Sequence, residues 1–147
     1  MKSPSSNRRR GRFALLVTPY PLAILVVDDE REIGRAMARM LRGHRVVAVD
    51  SGAAALAVLA GGDLDLVLCD VMMPGMSGAE LYRQTLELHP HMAARFVFIT
   101  GGACTVDTQQ FLDSTCVPVL DKPLAVATLN ELIDAIARQR YAVSRMN

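Results

Sequence analysis

The chain of 147 residues predicts an α/β domain of five successive strand–helix units around one parallel sheet. Three observations carry this. Short apolar runs of strand length alternate with segments of helical period from residue 22 onward. The connections between them are short and rich in Gly, Pro, Asp and Ser. Each apolar run also ends in a polar residue. Such alternation implies parallel strands, right-handed crossovers and helices on both faces.

Leu22–Val27 is uniformly apolar, as suits a strand buried on both faces. It ends in Asp28-Asp29-Glu30. Ile33, Ala36, Met37, Met40 and Leu41 then form one apolar stripe of a helix. Arg31, Glu32, Arg35, Arg39 and Arg42 form its outer face, and Gly43 stops it. Arg45–Val49 reads as the second strand. Ser51 caps an alanine-rich helix that runs to Ala60 and stops at Gly61-Gly62. Leu64–Cys69, broken only by Asp65, is the third strand. Ser77 and Glu80 have capping-box spacing for a helix to about Leu88, closed by Pro90. Phe96–Ile99 is the fourth strand and leads into Thr100-Gly101-Gly102. A short helix follows over about Val106–Ser114, then a fifth strand over Val117–Leu120 and Asp121-Lys122-Pro123. Val126, Leu129, Leu132, Ile133 and Ile136 mark the last helix, which has Ala125 where a polar cap is expected.

This length supports one domain with a full core, and 51% apolar residues with a mean hydropathy of +0.24 exclude a disordered chain. Three cysteines, Cys69, Cys104 and Cys116, form no CxxC and read as free thiols of a reducing compartment. The expected location is cytoplasmic. Residues 1–21 are expected to be a basic extension or linker, with arginines at 8, 9, 10 and 12 and a Thr18-Pro19-Tyr20-Pro21 break. The apolar run Phe13–Val17 is too short for a signal peptide core or a membrane span. Net charge is +1, so bulk electrostatics give no reason to expect nucleic acid as a partner. The domain proper is expected over 22–140, with a short tail over 141–147. With about seven residues expected after the last helix, no output domain is expected within these 147 residues.

The chemistry gathers at the strand ends. The first strand supplies Asp28 and Asp29, the third Asp70, the fourth Thr100 and the fifth Lys122. A parallel sheet brings all of these to one edge, where α/β proteins bind ligands. An Asp after a strand is more often a turn former or helix cap than a site residue, but five polar residues at the ends of one sheet are hard to explain as structure alone. Three carboxylates in one pocket repel one another. A hard divalent cation with oxygen ligands resolves this, and Mg²⁺ suits two or three carboxylates with retained waters. With the Lys122 ammonium and the Thr100 hydroxyl, the set forms a receiver for the oxygens of a phosphoryl group in flight. Asp70 is then the nucleophile that forms an aspartyl phosphate.

At these residues the chain resembles the receiver domain of two-component response regulators. The resemblance covers residues 24 to about 140 and rests on Val26-Val27-Asp28-Asp29-Glu30, Asp70 through Pro74 to Gly78, Thr100-Gly101-Gly102 and Lys122-Pro123. Thr100 stands 30 residues after Asp70, and Lys122 stands 22 after Thr100, as in typical receivers. The resemblance implies a flavodoxin-like doubly wound fold with strand order 2-1-3-4-5. It implies that Asp70 accepts a phosphoryl group from a phosphohistidine of a histidine kinase or phosphotransfer protein. Asp29, Asp70 and the Met72 backbone carbonyl would ligate Mg²⁺, with Asp28 acting through water. Lys122 would bind phosphoryl oxygens, and Thr100 would move toward them and signal outward. A cis Lys122-Pro123 bond is also implied. A receiver promotes its own aspartyl phosphorylation and dephosphorylation without being a separate enzyme. An unknown downstream protein would read it, and the chain would be a monomer or weak dimer.

The chain departs from the family at Val119, where receivers carry the Tyr or Phe of their switch. Met72, two residues after the acceptor, offers no hydrogen bond to an attacking water and implies a long-lived phosphoform. A stand-alone regulator and the C-terminal receiver of a hybrid histidine kinase both fit; the Thr100–Ala103 run and Phe111-Leu112 resemble the latter. An aspartyl-phosphate phosphatase of the haloacid dehalogenase type needs Asp-x-Asp and a cap, and this chain has neither at the nucleophile. A pseudo-receiver that only binds is disfavoured because all five site residues are present. His44, His89 and His91 are expected as surface residues, Cys69 as packing, and Met72, Met73 and Met76 as lining of the site.

Overall fold

The computed structural model describes residues 21–146. Apart from Pro21, the expected basic extension lies outside the described residues, as does Asn147. The elements in order are β1 (Ala23–Val27), α1 (Arg31–Met40), β2 (Arg45–Val49), α2 (Gly52–Ala60), β3 (Leu66–Asp70), α3 (Gly78–Leu88), a 3₁₀ turn (Pro90–Arg95), β4 (Phe96–Thr100), α4 (Val106–Ser114), β5 (Val119–Asp121) and α5 (Val126–Met146). The five strands are all parallel, in the order β2-β1-β3-β4-β5. This is the doubly wound arrangement expected from the sequence.

Period-two alternation sorts each central strand onto two cores. Leu25, Val27, Val67, Cys69, Phe96 and Phe98 pack with Ala55 and Leu59 of α2 and Leu81 of α3, with Phe111 of α4 against them. Ile24, Val26, Leu66, Leu68, Val97 and Ile99 pack with Met37 of α1 and Leu129 and Ile133 of α5. Helices α2, α3 and α4 therefore cover one face and α1 and α5 the other. Tyr82, Phe96, Phe98 and Phe111 meet edge to face, with ring centroids 5.1–6.0 Å apart for Tyr82–Phe96, Tyr82–Phe98, Tyr82–Phe111 and Phe98–Phe111. Such pairs add to area burial.

Capping fixes the helix starts. Ser51 Oγ accepts from the Ala54 N–H at 3.1 Å, and Ser77 Oγ accepts from the Glu80 N–H at 3.2 Å. Thr105 Oγ1 does the same for α4 with the Thr108 N–H at 3.2 Å.

Several bounds differ from expectation by a residue or two: β1 starts at Ala23, β3 at Leu66, and β4 runs on to Thr100. β3 runs on to include Asp70, because its Cα register with Ile99 continues the ladder. β5 begins at Val119 rather than Val117, since Pro118 has no N–H to donate. α5 continues through residue 140 to Met146, so a helix stands where a tail over 141–147 was expected. His44 is not a bare surface residue: its Nδ1 accepts the Leu22 N–H at 3.0 Å and closes the entry to β1. Burial lowers its pKa, against the opposing charge of Asp134. Asp65 works beside it, accepting the Ala23 N–H at 2.8 Å on Oδ2 and the Arg140 guanidinium at 2.7 Å on Oδ1.

Candidate functional site

The carboxyl ends of β1, β3, β4 and β5 place the predicted residues together. Asp28 follows β1, and its N–H donates to Val49 O at 3.1 Å, so the β1–β2 ladder holds its backbone. Its Oδ1 accepts the Glu30 N–H at 2.9 Å, which turns the chain into α1. Asp70 closes β3, and the following Val71 N–H donates to Ile99 O at 3.0 Å. The Lys122 N–H donates to Thr100 O at 2.8 Å, which fixes Lys122 at the end of β5. The Lys122-Pro123 bond is cis.

The side chains converge on Lys122. Its Nζ lies 3.0 Å from Asp28 Oδ2 and donates to Asp70 Oδ2 at 3.2 Å. Asp70 Oδ1 accepts the Met72 N–H at 3.1 Å. Asp28 and Asp70 are 2% and 5% exposed, whereas Asp29 beside them is open to solvent. Oxygen atoms of Asp28, Asp29 and Asp70 all lie within 4.8 Å of one another. Thr100 is buried, and its Oγ1 accepts the Gly102 N–H at 3.3 Å, which turns the following loop away from β4.

One ammonium against three carboxylates leaves the pocket negative. Burial raises the Asp70 pKa; the Met72 N–H and Lys122 oppose this, and Asp28 adds to it. Burial alone would lower the Lys122 pKa, but Asp28 and Asp70 outweigh it and the net shift is upward. Asp28 Oδ2, though close to Lys122, receives no well-formed hydrogen bond and is fully buried. An acceptor in that state, within a set of hard oxygen donors of surplus negative charge, fits a hard divalent cation.

Two further features shape the site. Gly78 at the start of α3 abuts the backbone of Asp70: a Cβ there would lie 2.6 Å from Asp70 O and 2.8 Å from Val71 Cα. Gly78 closes the Asp70–Gly78 motif of the sequence, but its spacing does not disclose this backbone contact. A groove of about 610 Å³ opens between α3 and α4, lined by Met72, Met73, Glu80, Arg83, Thr105 and Phe111 among others. Met72 and Met73 thus line the site region as expected, whereas Met76 lies where a Cβ on Gly52 of α2 would meet its sulfur at 2.6 Å. Cys69 is fully buried in the core shared with α2 and α3, and burial beside Asp70 raises its thiol pKa. Val119 is 38% exposed and lies opposite Phe98 in the β4–β5 register.

The family model described as the response regulator receiver domain matches residues 24–134. The chain belongs to the response regulator receiver domain family. It is 44% identical over 81 residues to the response regulator protein FleR of Pseudomonas aeruginosa, covering 54% of this chain and 17% of that protein. The crystal structure of a response regulator receiver domain protein from Clostridium thermocellum superposes with a TM-score of 0.71 at 25% identity, covering 83% of this chain and 98% of that one. The receiver domain of the sensor histidine kinase PA1611 of Pseudomonas aeruginosa PAO1, solved with a magnesium ion in its active-site cleft, shares the fold (TM-score 0.70, 24% identity, 80% of this chain and 98% of that one). The chain spans between 9% and 51% of the length of the first curated relatives it matches. As a receiver domain it is a signalling module of two-component systems. Among the described residues no helix is long and apolar enough to cross a membrane.

Proposed function

We propose that this receiver is a working phosphoacceptor and that Asp70 takes a phosphoryl group from a phosphohistidine on a histidine kinase or phosphotransfer protein. The observation that carries this is the shared ion pair. Lys122 Nζ touches both buried carboxylates, Asp28 at 3.0 Å and Asp70 at 3.2 Å, and so stands where phosphoryl oxygens would arrive. In the transfer the phosphorus–nitrogen bond breaks as a carboxylate oxygen of Asp70 bonds to phosphorus, and the imidazole leaves. Lys122 then exchanges a carboxylate contact for the incoming oxygens, and the Met72 N–H keeps the carboxyl group oriented. Asp28, Asp29, Asp70 and the Met72 carbonyl would hold Mg²⁺, which supplies charge neutralisation for the phosphoryl group. Thr100, whose hydroxyl accepts the Gly102 N–H, would give up that bond to turn toward the phosphoryl group and so carry the change into the loop before α4.

Val119 supplies no aromatic ring for the readout, so the change would leave the site through the Thr100–Thr105 loop and α4. The exposed Met72 side chain offers no hydrogen bond to an attacking water, which favours a long-lived phosphoform. The test is phosphotransfer from a histidine-phosphorylated donor protein. Label should pass to this chain with Mg²⁺ present, and Asp70→Asn should accept none. Label that persists in Asp70→Asn, or rapid spontaneous loss from the wild type, contradicts the acceptor or the lifetime respectively.

A further inference from the structure

We propose that Asp63, His89 and His91 form a second cation site, for a borderline-soft divalent ion of the zinc type, at the edge of the sheet opposite the phosphoacceptor. Asp63 lies in the turn between α2 and β3, His89 is the C-cap of α3, and His91 lies in the 3₁₀ turn that follows. These three line one cavity of about 280 Å³, walled by Leu59, Ala60, Gly62 and Met92.

His91 and Asp63, both exposed, form a direct ion pair when the imidazole is protonated, and their spacing also suits two ligands of one ion. His91 Nε2 and Asp63 Oδ1 are 3.5 Å apart, beyond the usual hydrogen-bond range. Two ligand atoms each bonded to one tetrahedral zinc at about 2.0–2.1 Å lie about 3.3 Å apart. The His89 and His91 ring centroids are 6.0 Å apart at 76°; two imidazoles on one such ion have centroids about 5–6 Å apart. The backbone is already set, since the His89 N–H donates to Thr85 O at 2.7 Å and the Met92 N–H to His89 O at 2.9 Å. Among the described residues, only Asp28, Asp29 and Asp70 have three ligand atoms within 4.8 Å of one another. Completing the second site therefore requires the His89 ring to move toward the His91–Asp63 pair.

The chemistry separates the two sites. Two imidazoles and one carboxylate suit zinc and disfavour Mg²⁺, which takes oxygen ligands. The C-terminus of α3 adds a favourable negative dipole end for a cation. Three protein ligands leave a fourth position to water, as in exchangeable rather than closed zinc sites. Bound metal would tie the α2–β3 turn to the C-terminal end of α3, whose first residue, Gly78, abuts Asp70.

The test is Zn²⁺ titration of the full chain with Mg²⁺ in excess, so that the acidic trio is occupied, in a Cys104→Ser/Cys116→Ser background that removes thiol ligands. The ring signals of His89 and His91 should shift together and saturate at one equivalent, while those of His44 stay put. Separately, His91→Ala and His89→Ala should each weaken Zn²⁺ binding by more than about tenfold. Shifts of His91 without His89, undiminished binding in His91→Ala, or loss of binding as Mg²⁺ rises would each overturn the site. None of these readouts depends on Asp70 accepting phosphate.

Discussion

Gly78 stands against Asp70 so closely that a methyl group at position 78 would lie 2.6 Å from the Asp70 carbonyl oxygen. The contact is backbone to backbone, so no flexible side chain can yield. It seats the first turn of α3 on the end of β3 and thereby fixes the loop that carries Met72. Gly78→Ala is expected to destabilise the fold by about 1–3 kcal/mol, the usual range for overpacking a tight site. Denaturant unfolding of the two proteins measures this; equal midpoints would show that the α3 start can move freely.

The unfavourable charge at Asp70 gives a second expectation. Its pKa is raised by burial, so the ionised form is worse off folded than unfolded. A carboxyl with a raised folded pKa contributes stability that is present below its unfolded value and lost as pH rises through the folded value. Without divalent cations, Asp70→Asn should therefore be more stable than wild type at neutral pH, by roughly 1 kcal/mol. The gap should close as the solution is acidified. A strongly destabilised Asp70→Asn protein would mean that the Asp70–Lys122 pair is structural.

Mg²⁺ should act in the opposite sense on the wild type. At ten times its dissociation constant it should add about 1.4 kcal/mol of stability. Asp29→Asn, which removes the exposed member of the trio, should lose most of that gain. Thermal melts with and without Mg²⁺ measure both, and an unresponsive wild type would count against the shared-cation site.

His44 should make stability depend on pH near neutrality. Its lowered pKa means that the unfolded chain binds the proton more readily than the folded one. The stability it supplies is thus present above its ordinary value of 6.5 and is lost as pH falls through the lowered folded value. Protonation also puts a hydrogen on Nδ1, where the Leu22 N–H donates. His44→Asn should flatten the pH dependence of the unfolding midpoint in this range; an unchanged slope would assign it to other groups.

Much of this was legible in the sequence because the signals were local. Arg45–Val49 and Val106–Ser114 have the bounds that their composition predicts. Ser51 and Ser77 cap the helices whose starts they mark. The five site residues could be placed together because a parallel sheet gathers strand ends at one edge. What escaped was long-range or backbone-borne. His44 and Asp65 serve N–H groups 22 and 42 residues away, and no periodicity reports such partners. The role of Gly78 depends on a carbonyl oxygen that only the folded chain brings near. The start of β5 slipped because Pro118 breaks a run that is apolar by composition, and α5 outran the predicted stripe because Ala137 and Tyr141 carry its packing further.

The most direct measurement is acetyl phosphate treatment of the full chain with Mg²⁺, followed by mapping of the modified residue. The account predicts a single acyl phosphate on Asp70, dependent on Mg²⁺, abolished in Asp70→Asn and strongly reduced in Lys122→Ala. No incorporation under these conditions, or incorporation that survives Asp70→Asn, would contradict it.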